Sequence, residues 1–179
     1  MKKAAFLDRD GVINRKAPEG EYITRWEDLE ILPGVPEAII LLTQAGYSVL
    51  AVSNQRCVAK GLLSLSELES IHERLCWELG TKGASITRIY YCPHDNQAAC
   101  GCRKPAPGML LAAARDHGID LQNSWMIGDS EVDIEAGKNA HCRTVRIGDS
   151  YADNNPRADL FARDLLEAAH RLLEFEASP

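Results

Sequence analysis

Short apolar segments alternate with segments of helical periodicity along most of this chain, and few folds accommodate such a pattern. Apolar runs typical of buried strands occupy residues 4–7, 48–53, 86–91, 125–127 and 143–147. Helix signals begin near residues 34 and 66 and continue over residues 109–117, 131–139 and 164–175. Strands that alternate with helices form parallel sheets covered on both faces. We therefore predict an α/β fold with a doubly wound parallel sheet.

The second predicted helix has the clearest start signal. Ser66 and Glu69 have the spacing of a capping box. In this motif the serine hydroxyl accepts a hydrogen bond from the glutamate backbone N–H, and the glutamate carboxylate accepts one from the serine backbone N–H. Apolar residues then recur at helical spacing: Leu68, Ile71, Leu75 and Leu79. We interpret them as a face packed on the core rather than as a functional stripe.

Length and charge limit the number of domains and the class of partner. The 179 residues suit one domain with a sizeable core, so we expect a single domain over residues 1–179. The net charge of −6 argues against binding to nucleic acid or to an anionic membrane.

The aliphatic run at residues 38–42 is too short to cross a membrane, and the apolar stretch before Asp8 is too short for a signal peptide. We expect a cytoplasmic monomer with reduced thiols.

Two aspartates follow the first predicted strand, in Asp8-Arg9-Asp10-Gly11. Residues two apart on a strand lean to the same side, so both carboxylates can face one ligand. A strand-end aspartate such as Asp8 is an anionic nucleophile that needs no activating base. Asp10 can then serve as general acid and base if a charged neighbour raises its pKa. Alone, so short a motif is more typical of a solvated acidic loop or a helix cap.

Other polar residues further along the chain could bind a metal ion or a phosphate group. Asp129 follows the fourth predicted strand, and its carboxylate suits Mg²⁺, with Asp133 one helical turn later as a supporting group. Ser53 ends the second strand and can donate to a phosphate oxygen, and Lys104 can place a cation on the same group. Ligands of parallel sheets bind beyond the carboxyl ends of the strands, so we expect these residues to meet Asp8. Taken alone, Asp129 would equally suit a helix N-cap and Asp133 a position facing solvent.

Along the chain the four motifs follow one another as Asp8-x-Asp10-Gly11, Ser53-Asn54, Lys104-Pro105 and Gly128-Asp129-x-x-x-Asp133. In this order they resemble the motifs of the haloacid dehalogenase-like phosphatases over nearly the whole chain. The resemblance implies a Rossmann-like sheet, and the short stretches between the motifs leave no room for a large cap domain. It implies that Asp8 is the nucleophile that forms an aspartyl-phosphate and that Asp10 is the acid and base. Ser53 and Lys104 would stabilise the phosphoryl group. Mg²⁺ would be held by Asp8, Asp129 and the backbone carbonyl of Asp10.

Three cysteines and a histidine lie within eleven residues after the third predicted strand: Cys92, His94, Cys100 and Cys102. Three thiolates and one imidazole make the ligand set of a closed structural zinc site, so we predict a zinc-binding loop over residues 92–102. A disulfide is the alternative. A reducing cytosol and the strain of joining cysteines one residue apart disfavour it.

The cysteine loop and the Cys-Arg-Lys-Pro segment at its end resemble one branch of the same superfamily. This branch contains heptose bisphosphate phosphatases and histidinol-phosphate phosphatases. The resemblance implies removal of the 7-phosphate of a heptose 1,7-bisphosphate in the synthesis of the lipopolysaccharide heptose precursor. Histidinol phosphate is the alternative substrate, and the resemblance also implies that Arg103 contacts the substrate. Further predicted substrate-binding residues are Tyr22, Asn54, Gln55, Arg56 and Ser130. Arg56 is equally consistent with a solvated loop residue.

Two other interpretations receive little support from the sequence. A zinc-stabilised binding module with vestigial carboxylates is a non-enzymatic alternative. As a nucleic-acid binder it would need basic clusters, and the chain has none beyond Arg103-Lys104. The histidines outside the cysteine loop have no partner pattern and receive no role: His72, His117, His141 and His170.

Overall fold

The computed structural model describes residues 1–148 and 158–177, which form one parallel sheet with helices on both faces. The strands are β1 (Lys3–Leu7), β2 (Tyr47–Asn54), β3 (Arg88–Cys92), β4 (Trp125–Gly128), β5 (Arg143–Ile147) and β6 (Leu160–Ala162). The helices are α1 (Val35–Gln44), α2 (Leu65–Thr81), α3 (Gly108–His117), α4 (Glu131–Asn139) and α5 (Leu165–Ala177). Among the described helices, none has the length and apolar character needed to span a bilayer.

The alternation of side chains along β1 divides the core into two layers. Ala5 and Leu7 belong to the layer formed with α1, α2 and α5, whereas Ala4 and Phe6 belong to the layer formed with α3 and α4. All four side chains are fully buried, as expected for a central strand covered on both faces. The predicted doubly wound α/β fold is therefore confirmed.

The sheet contains one strand more than the sequence pattern predicts. The three residues of β6 pair in parallel with β5, with Ile147 opposite Ala162. A run this short has too few alternations to be recognised in a sequence. The third strand also lies later than predicted, at residues 88–92 rather than 86–91, so Cys92 belongs to the strand itself.

The predicted capping box of the second helix is wrong by two residues. Ser64, not Ser66, is the N-cap of α2, and its hydroxyl accepts from the Glu67 backbone N–H at 3.2 Å. The Glu67 carboxylate accepts from the Ser64 backbone N–H at 2.6 Å and so completes the box. Both pairs have the same spacing and residue types, so the motif alone could not distinguish them. The apolar face that follows is buried as predicted.

The strand order places a crevice at the centre of one sheet edge. The order is β3-β2-β1-β4-β5-β6, so the chain grows outward from β1 on one side and then returns to the other side through β4. Ligands of such sheets bind where the order reverses, beyond the carboxyl ends of the strands. The residues after β1, β2 and β4 meet at this point.

The position of the α2 cap leads to a stability prediction. Ser64→Ala should lower the free energy of unfolding by about 1 kcal/mol, because it leaves an N-terminal backbone N–H without its acceptor. Ser66→Ala is the matched control and should change it by less than about 0.5 kcal/mol. Urea unfolding measures both variants. An equal loss in the two, or a larger loss for Ser66→Ala, would contradict the observed cap.

Candidate active site

The aspartates after β1 lie beside the carboxyl end of β4. The Asp8 backbone N–H donates to the Ile127 carbonyl oxygen at 2.9 Å, which extends the strand pairing by one residue. Gly11 then turns the chain with a φ of +100°, and a Cβ at this position would lie 2.3 Å from Asp129 Oδ2. The glycine therefore lets the acidic turn approach Asp129 closely.

A buried ammonium links Asp8 to the first turn of α4. Lys104 Nζ lies 2.6 Å from Asp8 Oδ1 and 2.6 Å from Asp133 Oδ1. It also donates to the Val52 carbonyl oxygen at 2.8 Å, so three oxygens surround the ammonium inside the protein. Burial opposes the charge, but Asp8 and Asp133 outweigh it and raise the pKa of Lys104 far above its usual value.

Asp133 is a buried member of this site, so the alternative that it faces solvent is wrong. It is 1% exposed, and its Oδ2 accepts from the Ser130 backbone N–H at 3.1 Å and from the Ser130 hydroxyl. These bonds form the capping box of α4, in which Ser130 rather than Asp129 is the N-cap. The cap leaves the carboxylate of Asp129 available to the crevice.

The Asp10 carboxylate is held by three side-chain donors. Arg9 Nη2 and Asn14 Nδ2 donate to Oδ1 at 3.0 and 2.9 Å, and Gln55 Nε2 donates to Oδ2 at 2.9 Å. Burial favours the neutral form, but the Arg9 charge and these hydrogen bonds outweigh it and lower the pKa of Asp10. The raised pKa on which acid catalysis by Asp10 depends is therefore not a property of the resting protein. The charged neighbour in contact with its carboxylate is a cation.

Three carboxylates form what we call the aspartate cluster: Asp8, Asp129 and Asp133. Each offers one oxygen, and these oxygens lie within 4.8 Å of one another. Asp129 Oδ1 is buried and has no hydrogen-bond partner among the described residues, an arrangement that costs free energy unless a cation binds there. Mg²⁺ prefers such oxygen ligands, so the residues fit the predicted magnesium site, with Asp133 near enough to be a direct ligand. The side chain of Asp10 is not part of this cluster.

The polar residues at the end of β2 contact other residues of the site. Ser53 is buried, and its Oγ accepts from Gln55 Nε2 at 2.7 Å. The Asn54 amide donates to the Lys104 carbonyl oxygen and accepts from the Lys104 backbone N–H, both at 3.0 Å. Asn54 thus fixes the backbone that carries the buried ammonium, while Gln55 bridges Ser53 and Asp10.

A cavity of about 410 Å³ opens at the aspartate cluster. The predicted substrate-binding residues that line it are Tyr22, Asn54, Gln55, Arg103 and Ser130. Arg56 is not among its lining residues, because the Arg56 guanidinium pairs with Asp95 at 2.7 Å. Lys16 also lines the cavity, and its Nζ donates to Asp129 Oδ2 at 2.8 Å. The loop of residues 16–23 therefore forms one wall of the cavity.

The four predicted zinc ligands converge at the end of β3. Cys92 Sγ lies 3.2 Å from Cys102 Sγ and 3.7 Å from Cys100 Sγ, and His94 Nδ1 lies 3.5 and 3.3 Å from Cys92 Sγ and Cys102 Sγ. A tetrahedral zinc site with bonds of about 2.3 Å separates its sulfur ligands by about 3.7 Å. A disulfide would need about 2.05 Å, and all these cysteines are free. The residues fit a closed tetrahedral site.

Comparison with known proteins assigns the chain to a family. A HAD-hydrolase-like family model matches residues 101–168. The D-glycero-beta-D-manno-heptose-1,7-bisphosphate 7-phosphatase of Pseudomonas aeruginosa is 36% identical over 174 residues, which cover 94% of this chain and 97% of that protein. This chain belongs to the D-glycero-D-manno-heptose-1,7-bisphosphate 7-phosphatase family.

Other members of the heptose bisphosphate phosphatase family agree in sequence and structure. The Thermosynechococcus vestitus protein is 37% identical over 163 residues, covering 85% of this chain and 82% of its own. The crystal structure of the D,D-heptose 1,7-bisphosphate phosphatase from B. bronchiseptica superposes with a TM-score of 0.87 at 32% identity. The match covers 97% of this chain and 99% of that one, and the crystal contains magnesium and phosphate.

Three residues of this family member were missed by reasoning from the sequence: Arg9, Lys16 and His72. Arg9 lies between two predicted catalytic aspartates, directly after a predicted buried strand. A charged residue at such a position indicates a buried ion pair near the site. His72 follows Leu68 by four residues, a spacing that places it on the predicted core face. No local pattern indicates that Lys16 reaches Asp129, which lies far along the chain.

The burial of Asp8 leads to a prediction for magnesium binding. Burial, opposed by Lys104 and assisted by Asp133 and Asp10, raises the pKa of Asp8 to about 7 in the metal-free protein. A bound cation favours the charged carboxylate, so Mg²⁺ must displace a proton below this pH and none above it. The Mg²⁺ affinity should therefore rise up to about tenfold per pH unit below pH 7 and level off above it.

Isothermal titration calorimetry of Mg²⁺ at several pH values measures this dependence. Asp8→Asn is the control, because it removes the titrating group and should flatten the profile as well as weaken binding. A wild-type affinity that stays constant from pH 6 to pH 8 would contradict a metal site that includes Asp8.

Proposed function

We propose that this protein is a Mg²⁺-dependent phosphatase that removes the 7-phosphate of D-glycero-D-manno-heptose 1,7-bisphosphate. One observation carries the proposal: a buried carboxylate, Asp8, touches the Lys104 ammonium and belongs to a metal-binding cluster at a cavity. The names and full-length similarity of the relatives support the heptose bisphosphate as substrate. The pathway would then be that of the lipopolysaccharide heptose precursor.

Asp8 serves as the nucleophile. One carboxylate oxygen attacks the phosphorus atom, the bond between phosphorus and the sugar oxygen breaks, and the electron pair goes to that oxygen. The sugar oxygen takes a proton from the Asp10 carboxyl group. Water then attacks the phosphorus of the Asp8 phosphate and gives a proton to Asp10, which frees the Asp8 carboxylate and inorganic phosphate.

Asp10 must be neutral for the first step and charged for the second. In the resting protein its hydrogen-bond donors keep its pKa low, which suits the second step. A phosphate dianion bound beside it adds negative charge and so favours the neutral carboxyl group. Substrate binding therefore supplies the condition for Asp10 to donate its proton.

Positive charge lets an anionic nucleophile approach an anionic phosphate. Magnesium, when held by Asp8, Asp129, Asp133 and the backbone carbonyl of Asp10, supplies part of this charge. Lys104 supplies the rest and holds the Asp8 carboxylate in place. The Ser53 hydroxyl then fixes a phosphate oxygen.

The rest of the substrate lies in the cavity. Arg103 provides a guanidinium for a polar or anionic group, and Tyr22 and Ser130 provide contacts for the sugar. Asn54 and Gln55 contribute by hydrogen bonds that hold Lys104 and Asp10 in place, rather than by contacts with the sugar.

A substrate panel with Mg²⁺ tests the proposed function. The kcat/KM for heptose 1,7-bisphosphate should exceed that for histidinol phosphate and for generic sugar phosphates by at least about 100-fold, since the contacts that distinguish them act in the transition state. Asp8→Asn should lose activity by about 10⁴-fold or more while its circular dichroism spectrum stays unchanged.

The panel also separates the alternatives. A preference for histidinol phosphate would assign the protein to the other activity of this branch. Turnover by Asp8→Asn equal to wild type would contradict the mechanism, and the absence of any turnover by the wild-type protein would favour a binding module.

We also propose that the cysteine loop holds a structural zinc ion. Its four ligand atoms have the spacing of a tetrahedral site, and four protein ligands leave no position for catalysis. Arg103 follows the last ligand directly and donates from Nη1 to the His94 carbonyl oxygen at 3.3 Å. The metal would thus fix the loop that brings Arg103 and Lys104 to the cavity.

Metal analysis tests the zinc site. Purified protein should contain about one equivalent of zinc, and Cys100→Ser should lose most of it and lower both the thermal midpoint and kcat/KM. Cys76→Ser is the matched control, because this half-buried cysteine of α2 lies outside the cluster, and it should keep the full zinc content. Less than about half an equivalent in wild-type protein prepared without chelator would contradict the site.

We further propose that the enzyme works as a monomer in the cytoplasm. All residues assigned to the reaction come from one chain, so no partner copy is needed to complete the site. Unpaired thiols, 3.2 to 3.7 Å apart at the zinc loop, suit a reducing compartment.

A further inference from the structure

The arginine between the two catalytic aspartates is buried inside the protein. Arg9 is 1% exposed and is among the largest fully buried side chains. Its Nη2 donates to Asp10 Oδ1 at 3.0 Å, and its Nη1 lies 3.0 Å from His72 Nε2. A buried guanidinium is costly unless its protons find acceptors. Among the described residues, Asp10 and His72 are the side chains that accept from it.

The geometry determines the state of His72. A guanidinium can only donate hydrogen bonds, so His72 Nε2 must be the acceptor and the ring must be neutral, with its proton on Nδ1. Burial and the neighbouring Arg9 charge lower the pKa of His72 to about 3, which agrees with this assignment.

Packing holds the His72 ring in its orientation. His72 lies on α2, and its ring meets that of Tyr91 on β3 at 5.4 Å between centroids. The Tyr91 hydroxyl donates in turn to the Glu69 carboxylate of α2 at 2.8 Å. The acceptor for Arg9 is therefore fixed by the contact between a helix and a strand, away from the cavity.

We propose that His72 is a positioning residue for the reaction: through Arg9 it fixes the carboxylate of Asp10. The inference rests on the proposed function, because it assigns Asp10 the role of acid and base. Arg9 uses one nitrogen to hold Asp10 and the other to reach His72, so the ring sets where the guanidinium lies. Asn14 and Gln55 then complete the hydrogen bonds around the same carboxylate.

Loss of the His72 acceptor would leave Arg9 Nη1 buried without a partner. The guanidinium would then shift toward another acceptor or toward water, and Asp10 would lose the orientation that this donor imposes. Proton transfer to the sugar oxygen depends on that orientation, whereas attack by Asp8 does not. A positioning role therefore predicts a loss confined to substrates that need a proton on the leaving group.

Two substrates distinguish positioning from general damage to the fold. The sugar oxygen of heptose 1,7-bisphosphate needs a proton as it leaves, whereas p-nitrophenolate leaves as a stable anion. Because kcat/KM reports the steps up to loss of the leaving group, it depends on Asp10 for the first substrate and only weakly for p-nitrophenyl phosphate.

The test compares variants at one position with a control nearby. His72→Leu removes the acceptor and should lower kcat/KM for the heptose bisphosphate by about tenfold or more, and that for p-nitrophenyl phosphate by less than about threefold. His72→Gln keeps an acceptor near Nε2 and should recover most of the loss. Glu73→Gln is the control, because this exposed side chain follows His72 on α2, and it should match wild type on both substrates.

A double-mutant cycle makes the assignment specific. In an Asp10→Asn background His72→Leu should cause no further loss on the heptose bisphosphate, since the group that it positions is gone. Equal losses on both substrates, an independent loss in the Asp10→Asn background, or a His72→Gln variant no better than His72→Leu would overturn the positioning role.

Two other outcomes are decisive as well. If His72→Leu does not fold, His72→Asn takes its place, because its shorter amide cannot reach Arg9. Wild-type protein that hydrolyses p-nitrophenyl phosphate but not the heptose bisphosphate would contradict the proposed substrate, and the inference with it. The wild-type measurement alone therefore distinguishes failure of the proposed function from failure of the positioning role.

Discussion

The contact on which the site depends is the buried ammonium of Lys104 between Asp8 and Asp133, 2.6 Å from an oxygen of each. Two carboxylates this close would repel one another inside the protein, and a buried charge without a partner is strongly destabilising. The lysine resolves this conflict and also joins three elements of the sheet edge. It ties the end of β1 to the first turn of α4, and through the Val52 carbonyl oxygen to β2. Catalytic geometry and local stability therefore rest on the same interaction.

Charge at the site is balanced for a divalent cation and an anionic substrate. The aspartate cluster carries three carboxylates, with Lys104 between Asp8 and Asp133 and Lys16 on Asp129, so a bound Mg²⁺ would give the site a net positive charge for an anionic phosphate. The protein as a whole has a net charge of −6, which disfavours polyanions without preventing a small phosphate from binding where Mg²⁺, Lys104 and Arg103 meet. Asn54 and the cysteine loop position that cationic group, Asn54 by holding the Lys104 backbone on both sides.

Most of the fold and the core of the site could be predicted from local patterns. Strand periodicity and polar strand ends located Asp8, Asp129 and Ser53, because parallel strands bring their carboxyl ends to one edge. The three-residue β6 and the true cap at Ser64 were missed, since a short run and two equivalent serines carry too little local information. The hydrogen bonds of Asn54, Gln55, Arg9 and His72 were missed for another reason. The bonds of Asn54 to Lys104, of Gln55 to Asp10 and of Arg9 to His72 join residues 45 to 63 positions apart. No spacing rule encodes which buried donor meets which acceptor over such separations.

The central claim is that Asp8 attacks phosphorus and that water then hydrolyses the Asp8 phosphate. The stereochemistry at phosphorus tests it most directly, with heptose 1,7-bisphosphate made chiral at the 7-phosphate by oxygen isotopes and a sulfur atom. Each in-line displacement inverts the phosphorus centre, so transfer to Asp8 followed by hydrolysis predicts net retention. Net inversion would mean that water attacks the substrate directly, and it would contradict the role assigned to Asp8.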